Sequence, residues 1–168
     1  MKKIGFGIKS LLFVETIILT IFIISPITHE LGHLIIGLWL GMRFVELKIT
    51  IPLFVGENYI VMIGDYNFLF IIGGSFFNLI IGSIILLICK AKYNFIVVGI
   101  GLGLQLEGII YFFYSIITGY GDFASVDISI AIIYFIINIV IMIILLQYIY
   151  QDKKGKEIIR EFNKVIRS

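Results

Sequence analysis

Cysteine is almost missing from this chain. The lone Cys89 excludes an intramolecular disulfide and any cysteine-based metal cluster, and it reads as a small apolar residue near a helix end. Proline occurs twice and no Ser/Gly-rich run is present, which argues against linkers or a separate soluble domain. No internal repeat is visible. Charge is scarce at 14% of residues. What remains is 60% hydrophobic, with a mean hydropathy of +1.11 and isoleucine at about a quarter of the chain. That lies far above the apolar share of a soluble domain, so the composition implies an integral membrane protein.

Four apolar stretches are predicted to span, and the expected fold is an all-α membrane bundle. The first, residues 10–41, would be about 48 Å long as one helix, against a hydrocarbon core of about 30 Å. Tilt, protrusion or a break near Ser25-Pro26 would resolve this, and one kinked spanning element with the motif in its second half is expected, because proline removes a backbone donor and kinks helices. Trp39 then falls near an interface. Residues 68–89, 94–118 and 128–150 supply the other three spans, and 94–118 is rich in glycines that favour close helix packing. Lys2, Lys3 and Lys9 before an apolar run resemble a signal-peptide start, but no small-residue cleavage site follows, so the segment is read as retained.

Between the first two spans the period changes. Glu46, Lys48 and Thr50 alternate with Leu47, Ile49 and Ile51, and Gly56-Glu57-Asn58 leads into Tyr59–Ile63. This predicts a short β-hairpin over 44–63, with Pro52 at an edge position. Residues 1–151 then form a single membrane-embedded core. Residues 152–168 form a basic amphipathic tail suited to an anionic membrane face.

The placement of charge orients the chain. With four spans, both termini share one side. Lys2, Lys3, Lys9, Lys90, Lys92 and the six basic residues of the tail are eleven of the thirteen Lys and Arg. The positive-inside rule puts that side, and both termini, in the cytoplasm of a multi-pass cell-membrane protein.

Histidine is as rare as proline, and both copies stand in one pentapeptide, His29-Glu30-Leu31-Gly32-His33. On a helix, positions i and i+4 lie on one face, so both imidazoles can reach a single ion. Glu30 stands where it can act on water rather than ligate. A catalytic zinc takes three protein ligands, so a carboxylate must supply the third. Glu15, Asp65, Glu107, Asp122 and Asp127 are the candidates. Asp65 and Asp127 begin spans, where helix caps are common. Glu15 precedes the motif by about four turns of the same element. Glu107 lies about 20 Å of helix rise from Asp122 and reads as interhelical polar packing. Asp122, in the polar break 119–127, is the best geometric choice, with Asp127 in reserve.

Read in order, these features resemble the site-2 protease family of intramembrane zinc metalloproteases, in a small minimal-core form. The first span carries H-E-L-G-H. Gly73-Gly74-Ser75-Phe76-Phe77-Asn78 is similar to the family's second element, with serine in place of proline, and Gly121-Asp122-Phe123-Ala124 is similar to its G-D-x-A variant. Tyr114 and Ile117 stand where the family usually has Asn and Pro, and Phe123 where it often has glycine. The resemblance covers residues 25–125 and implies one zinc ion per chain held by His29, His33 and Asp122. It further implies Glu30 as general base on zinc-activated water, and Asn78 in substrate binding or oxyanion stabilisation. The expected reaction is hydrolysis of a peptide bond in or near a transmembrane segment of a membrane-protein substrate. The hairpin edge would hold the unwound segment by strand addition or simply plug the membrane surface. Expected partners are the substrate, the bilayer and a regulatory membrane protein, with no nucleic acid. Two other classes stand beside this one. A zinc-binding sensor, immunity or regulatory factor would keep the ligands without turnover. A metal transporter would need more polar residues along its path than Gln105, Glu107 and the motif provide.

Overall fold

A computed structural model describes residues 4–49, 58–88 and 94–151, together with 156 and 160. The basic turn at 90–92, the hairpin's turn at 56–57, Pro52 and most of the expected tail lie outside the described residues.

The protein is mostly helical. Helix α1 (Ile4–Leu19) runs through a π-helical turn (Thr20–Ile24) into α2 (Ser25–Trp39). The helix runs on through Pro26 without a break: the π turn stands just before it, and Pro26 lies in the first turn of α2. Proline inside a helix removes one backbone bond, and a wider turn just before it accommodates the ring that would otherwise meet the preceding carbonyls.

Strands β1 (Arg43–Lys48) and β2 (Tyr59–Ile63) pair antiparallel, from Arg43 opposite Ile63 to Lys48 opposite Tyr59, with an irregularity between Phe44 and Glu46. The period of two in the sequence therefore does make strands, between α2 and the helices that follow. They are fastened to α2 by Met62, which is buried with Met42 and Phe70. A Cβ on Gly37 would lie only 2.2 Å from the Met62 sulfur, so the hairpin sits directly on the last turns of α2.

The stretch expected as one span over 68–89 is divided. Helix α3 (Phe68–Ile71) is a single turn, capped by Asn67, whose Oδ1 accepts from Phe70 N at 3.1 Å. Helix α4 (Gly73–Ile88) follows after Ile72. At 16 residues α4 rises about 24 Å, short of a full bilayer core. Helices α5 (Phe95–Thr118) and α6 (Ile128–Gln151) are longer. Among the described residues, three helical stretches are long and apolar enough to cross a membrane: Leu11–Trp39, Ile96–Thr118 and Ile128–Gln151. Their outward faces carry large apolar side chains, among them Ile117, Ile133 and Ile144.

Two apolar clusters hold the bundle. Phe13, Leu86, Val98, Leu145 and Ile149 meet at the end where α4 stops. Ile72, Leu79, Phe112, Phe123, Ala131 and Tyr134 meet at the other. Burial of such side chains stabilises by about 1.5–3 kcal/mol each in water, whereas between lipid-facing helices close packing carries more of the load. The α5 glycines provide that closeness: Gly101 lies against Leu86 of α4, and Gly103 against Thr20 of the π turn.

Candidate metal centre

Helix α2 places His29 and His33 one turn apart, both buried and facing inward. Their approach to α4 depends on two small residues. A Cβ on Gly32 would come within 2.5 Å of the Phe77 Cβ, and one on Gly74 within 2.3 Å of the His29 ring. Alanine at either point would push the helices apart.

Asp122 reaches the same spot by a chain reversal. Helix α5 ends at Gly119, which is left-handed at φ +70°. Gly121 follows at φ +91°, where a side chain is strained, and a Cβ there would also strike the Tyr111 hydroxyl and Ser115 Oγ at 2.7 Å. The chain thus folds back along α5, and a 3-10 turn (Asp122–Ser125) carries the carboxylate into the bundle. Phe123 anchors that turn. It is almost fully buried, with its ring against Phe112, Tyr111 and Tyr134. This gives the phenylalanine a definite job at a position where a glycine could not do it.

Asp122 Oδ2 lies 2.9 Å from His29 Nε2 and 3.0 Å from His33 Nε2, and the two Nε2 atoms are 3.2 Å apart. Among the described residues these three form a group able to hold a metal ion. The spacing fits a tetrahedral site: ligands bonded at about 2.0–2.1 Å around zinc stand about 3.3 Å from one another. The outer ring nitrogens are committed as well. His33 Nδ1 donates to the Phe70 carbonyl oxygen at 2.7 Å, and His29 Nδ1 to Glu107 Oε1 at 3.1 Å. With Nδ1 protonated in both rings, the Nε2 lone pairs face the shared point, the tautomer that a metal requires. Without a cation, both Nε2 atoms can donate to Asp122 only if both rings are imidazolium cations at close range in an apolar interior, a costly arrangement.

Glu30 is buried beside the group, near enough to interact electrostatically with His29, His33, Asp122 and Glu107. Among the described residues its carboxylate has no hydrogen-bond partner. Asn78 is fully buried but committed elsewhere. Its Nδ2 faces Ser25 O at 3.1 Å, Ser25 Oγ at 2.8 Å and Glu107 Oε2 at 3.1 Å, and its Oδ1 accepts from the Thr28 hydroxyl. Asp127 stands outside the group. It is exposed and caps α6, accepting from Ser129 N at 2.8 Å, a bond that lowers its pKa. Asp65 is exposed ahead of α3, whose cap is Asn67.

Glu107 corrects the sequence expectation. Counted along α5 it lies far from Asp122, yet it hydrogen-bonds the ring that Asp122 touches. The reversal at Gly119 and Gly121 cancels the helix rise. The available signal was an ionisable side chain inside an apolar helix, which is a functional candidate in itself.

Comparison of the chain with known protein families, curated proteins and solved structures returns no match.

Proposed function

We propose that this protein is a membrane-embedded zinc endopeptidase that cleaves a peptide bond in or near a transmembrane segment of a membrane-protein substrate. The observation that carries the reading is the convergence of His29 Nε2, His33 Nε2 and Asp122 Oδ2 on one point, with both Nδ1 atoms held by acceptors. The order H-E-L-G-H, Gly-Gly-x-x-x-Asn and Gly-Asp along the chain, similar to the site-2 protease family, supports the choice of reaction. In this reading α3 and α4 together make the short second of four crossings. Both termini face the cytoplasm, and the strands cover the mouth of the site.

A zinc ion bound there supplies Lewis acidity, polarising a substrate carbonyl and lowering the pKa of water toward neutrality. The residues divide the remaining work. His29 and His33 bind as neutral imidazoles, and Asp122 adds the anionic ligand. Glu30, unpaired and adjacent, accepts the proton of the attacking water and returns it to the leaving amine. Asn78 is a positioning residue rather than an oxyanion donor, because its amide hydrogens are taken by Ser25 and Glu107. The apolar surroundings exclude bulk water and strengthen each of these interactions.

The test is cleavage of single-span model substrates in liposomes by wild type and Glu30→Gln. Glu30→Gln is expected to retain zinc and to lose cleavage by a factor of about 100 or more, the scale of general acid–base catalysis. Full cleavage by Glu30→Gln sinks the protease reading. Full biological activity of that variant would instead identify a zinc-binding regulatory protein.

A further inference from the structure

Among the described residues, two carboxylates outside the three ligands are buried, Glu30 and Glu107, and they differ in kind. Glu30 is untied. Glu107 is fixed at both oxygens, Oε1 by His29 Nδ1 and Oε2 by Asn78 Nδ2, each at 3.1 Å. Among the described residues no Lys or Arg pairs with it.

We infer that Glu107 is a positioning residue of the metal centre: it orients His29 through Nδ1 and supplies the second fixed negative charge beside the ion. This rests on the metal-centre reading above. Three observations support it. First, the contact is with the nitrogen opposite the ligand atom, so the carboxylate sets both tautomer and ring direction, as outer carboxylates do in zinc sites. Second, Glu107 is itself braced. Asn78 joins it to Ser25, and Thr28 joins Asn78 back to α2, so three helices fix the His29 ring from behind. Third, Glu107 is a carboxylate held by donors at both oxygens directly behind a ligand ring, where it favours a divalent ion over an empty site in an apolar interior. Gln105, two residues before Glu107 on α5, donates from Nε2 to Ser83 Oγ of α4 at 2.7 Å, a buried interhelical contact of the purely structural kind.

The experiment compares zinc affinity by chelator competition, the visible spectrum of the cobalt-substituted protein, and thermal stability, in wild type, Glu107→Gln and Gln105→Met. Glutamine at 107 can still accept from His29 but removes the charge and turns an amide toward the Asn78 amide. The expected result is a zinc affinity about 10–100-fold weaker and a shifted cobalt spectrum for Glu107→Gln. Gln105→Met should lower stability and leave zinc affinity and spectrum as in wild type. Unchanged zinc affinity in folded Glu107→Gln overturns the inference and leaves the metal centre standing. Equal weakening by Gln105→Met also overturns it, since the effect would then be general loosening. Wild type that binds no zinc overturns the metal centre, and the inference falls with it. Should Glu107→Gln not assemble, Glu107→Asp is read by the same criteria: it keeps the charge but withdraws it from His29, and wild-type affinity in it overturns the inference.

Discussion

His33 and Asp122 are 89 residues apart in the chain and 3.0 Å apart in space. The first stands on a long helix and the second on a turn that folds back into the bundle. The contact exists because two glycines reverse the chain after α5 and one phenylalanine pins the result.

Gly74→Ala should damage the centre without touching a ligand. Its Cβ would lie 2.3–2.6 Å from the atoms of the His29 ring, which has no room to retreat while Glu107 holds it. The expected outcome is a folded protein with markedly reduced zinc content. Wild-type zinc in Gly74→Ala would show that α2 and α4 can separate at no cost to the site.

Phe123→Ala should release Asp122. Truncating a fully buried phenylalanine costs about 3–5 kcal/mol in soluble cores, and here the side chain also anchors the turn next to a ligand. Thermal melting should drop, and zinc affinity should fall with it. Phe123→Leu, which keeps most of the volume, should recover much of both.

Met62→Ala should loosen the strands from α2. Met62 fills the space against Gly37 and packs with Met42 and Phe70. Hydrogen exchange measured by mass spectrometry should speed up in β1 and β2, while zinc content stays near wild type because no ligand stands on the strands.

Asp127→Ala should remove the cap of α6 and leave the metal in place. The carboxylate is exposed and bonds its own helix end. Zinc lost from this variant but kept by Asp122→Ala would exchange the two aspartates' roles.

Much of this was legible in the sequence, for definite reasons. The pairing of two histidines at i and i+4 follows from helix periodicity alone, and α2 delivers it. The alternation after α2 has the period of a strand, and its described part, Arg43–Lys48, pairs with Tyr59–Ile63. Proline at 26 has a fixed backbone cost, met by the π turn. What escaped was the effect of long-range geometry on a local count. Helix rise counted from Asp122 puts Glu107 too deep, and no local pattern announces that Gly119-Tyr120-Gly121 doubles back. Asn78 was visible as a polar residue in an apolar helix, but its partners Ser25, Thr28 and Glu107 come from two other elements. The division of 68–89 into α3 and α4 turns on the Asn67 cap and on Phe70, whose carbonyl serves His33.

The central claim is that His29, His33 and Asp122 together hold one zinc ion, and elemental analysis of the purified protein tests it most directly. Wild type and Glu30→Gln should carry one zinc per chain, and His33→Ala and Asp122→Ala close to none. Zinc at the wild-type level in Asp122→Ala, or none in wild type, would contradict the account.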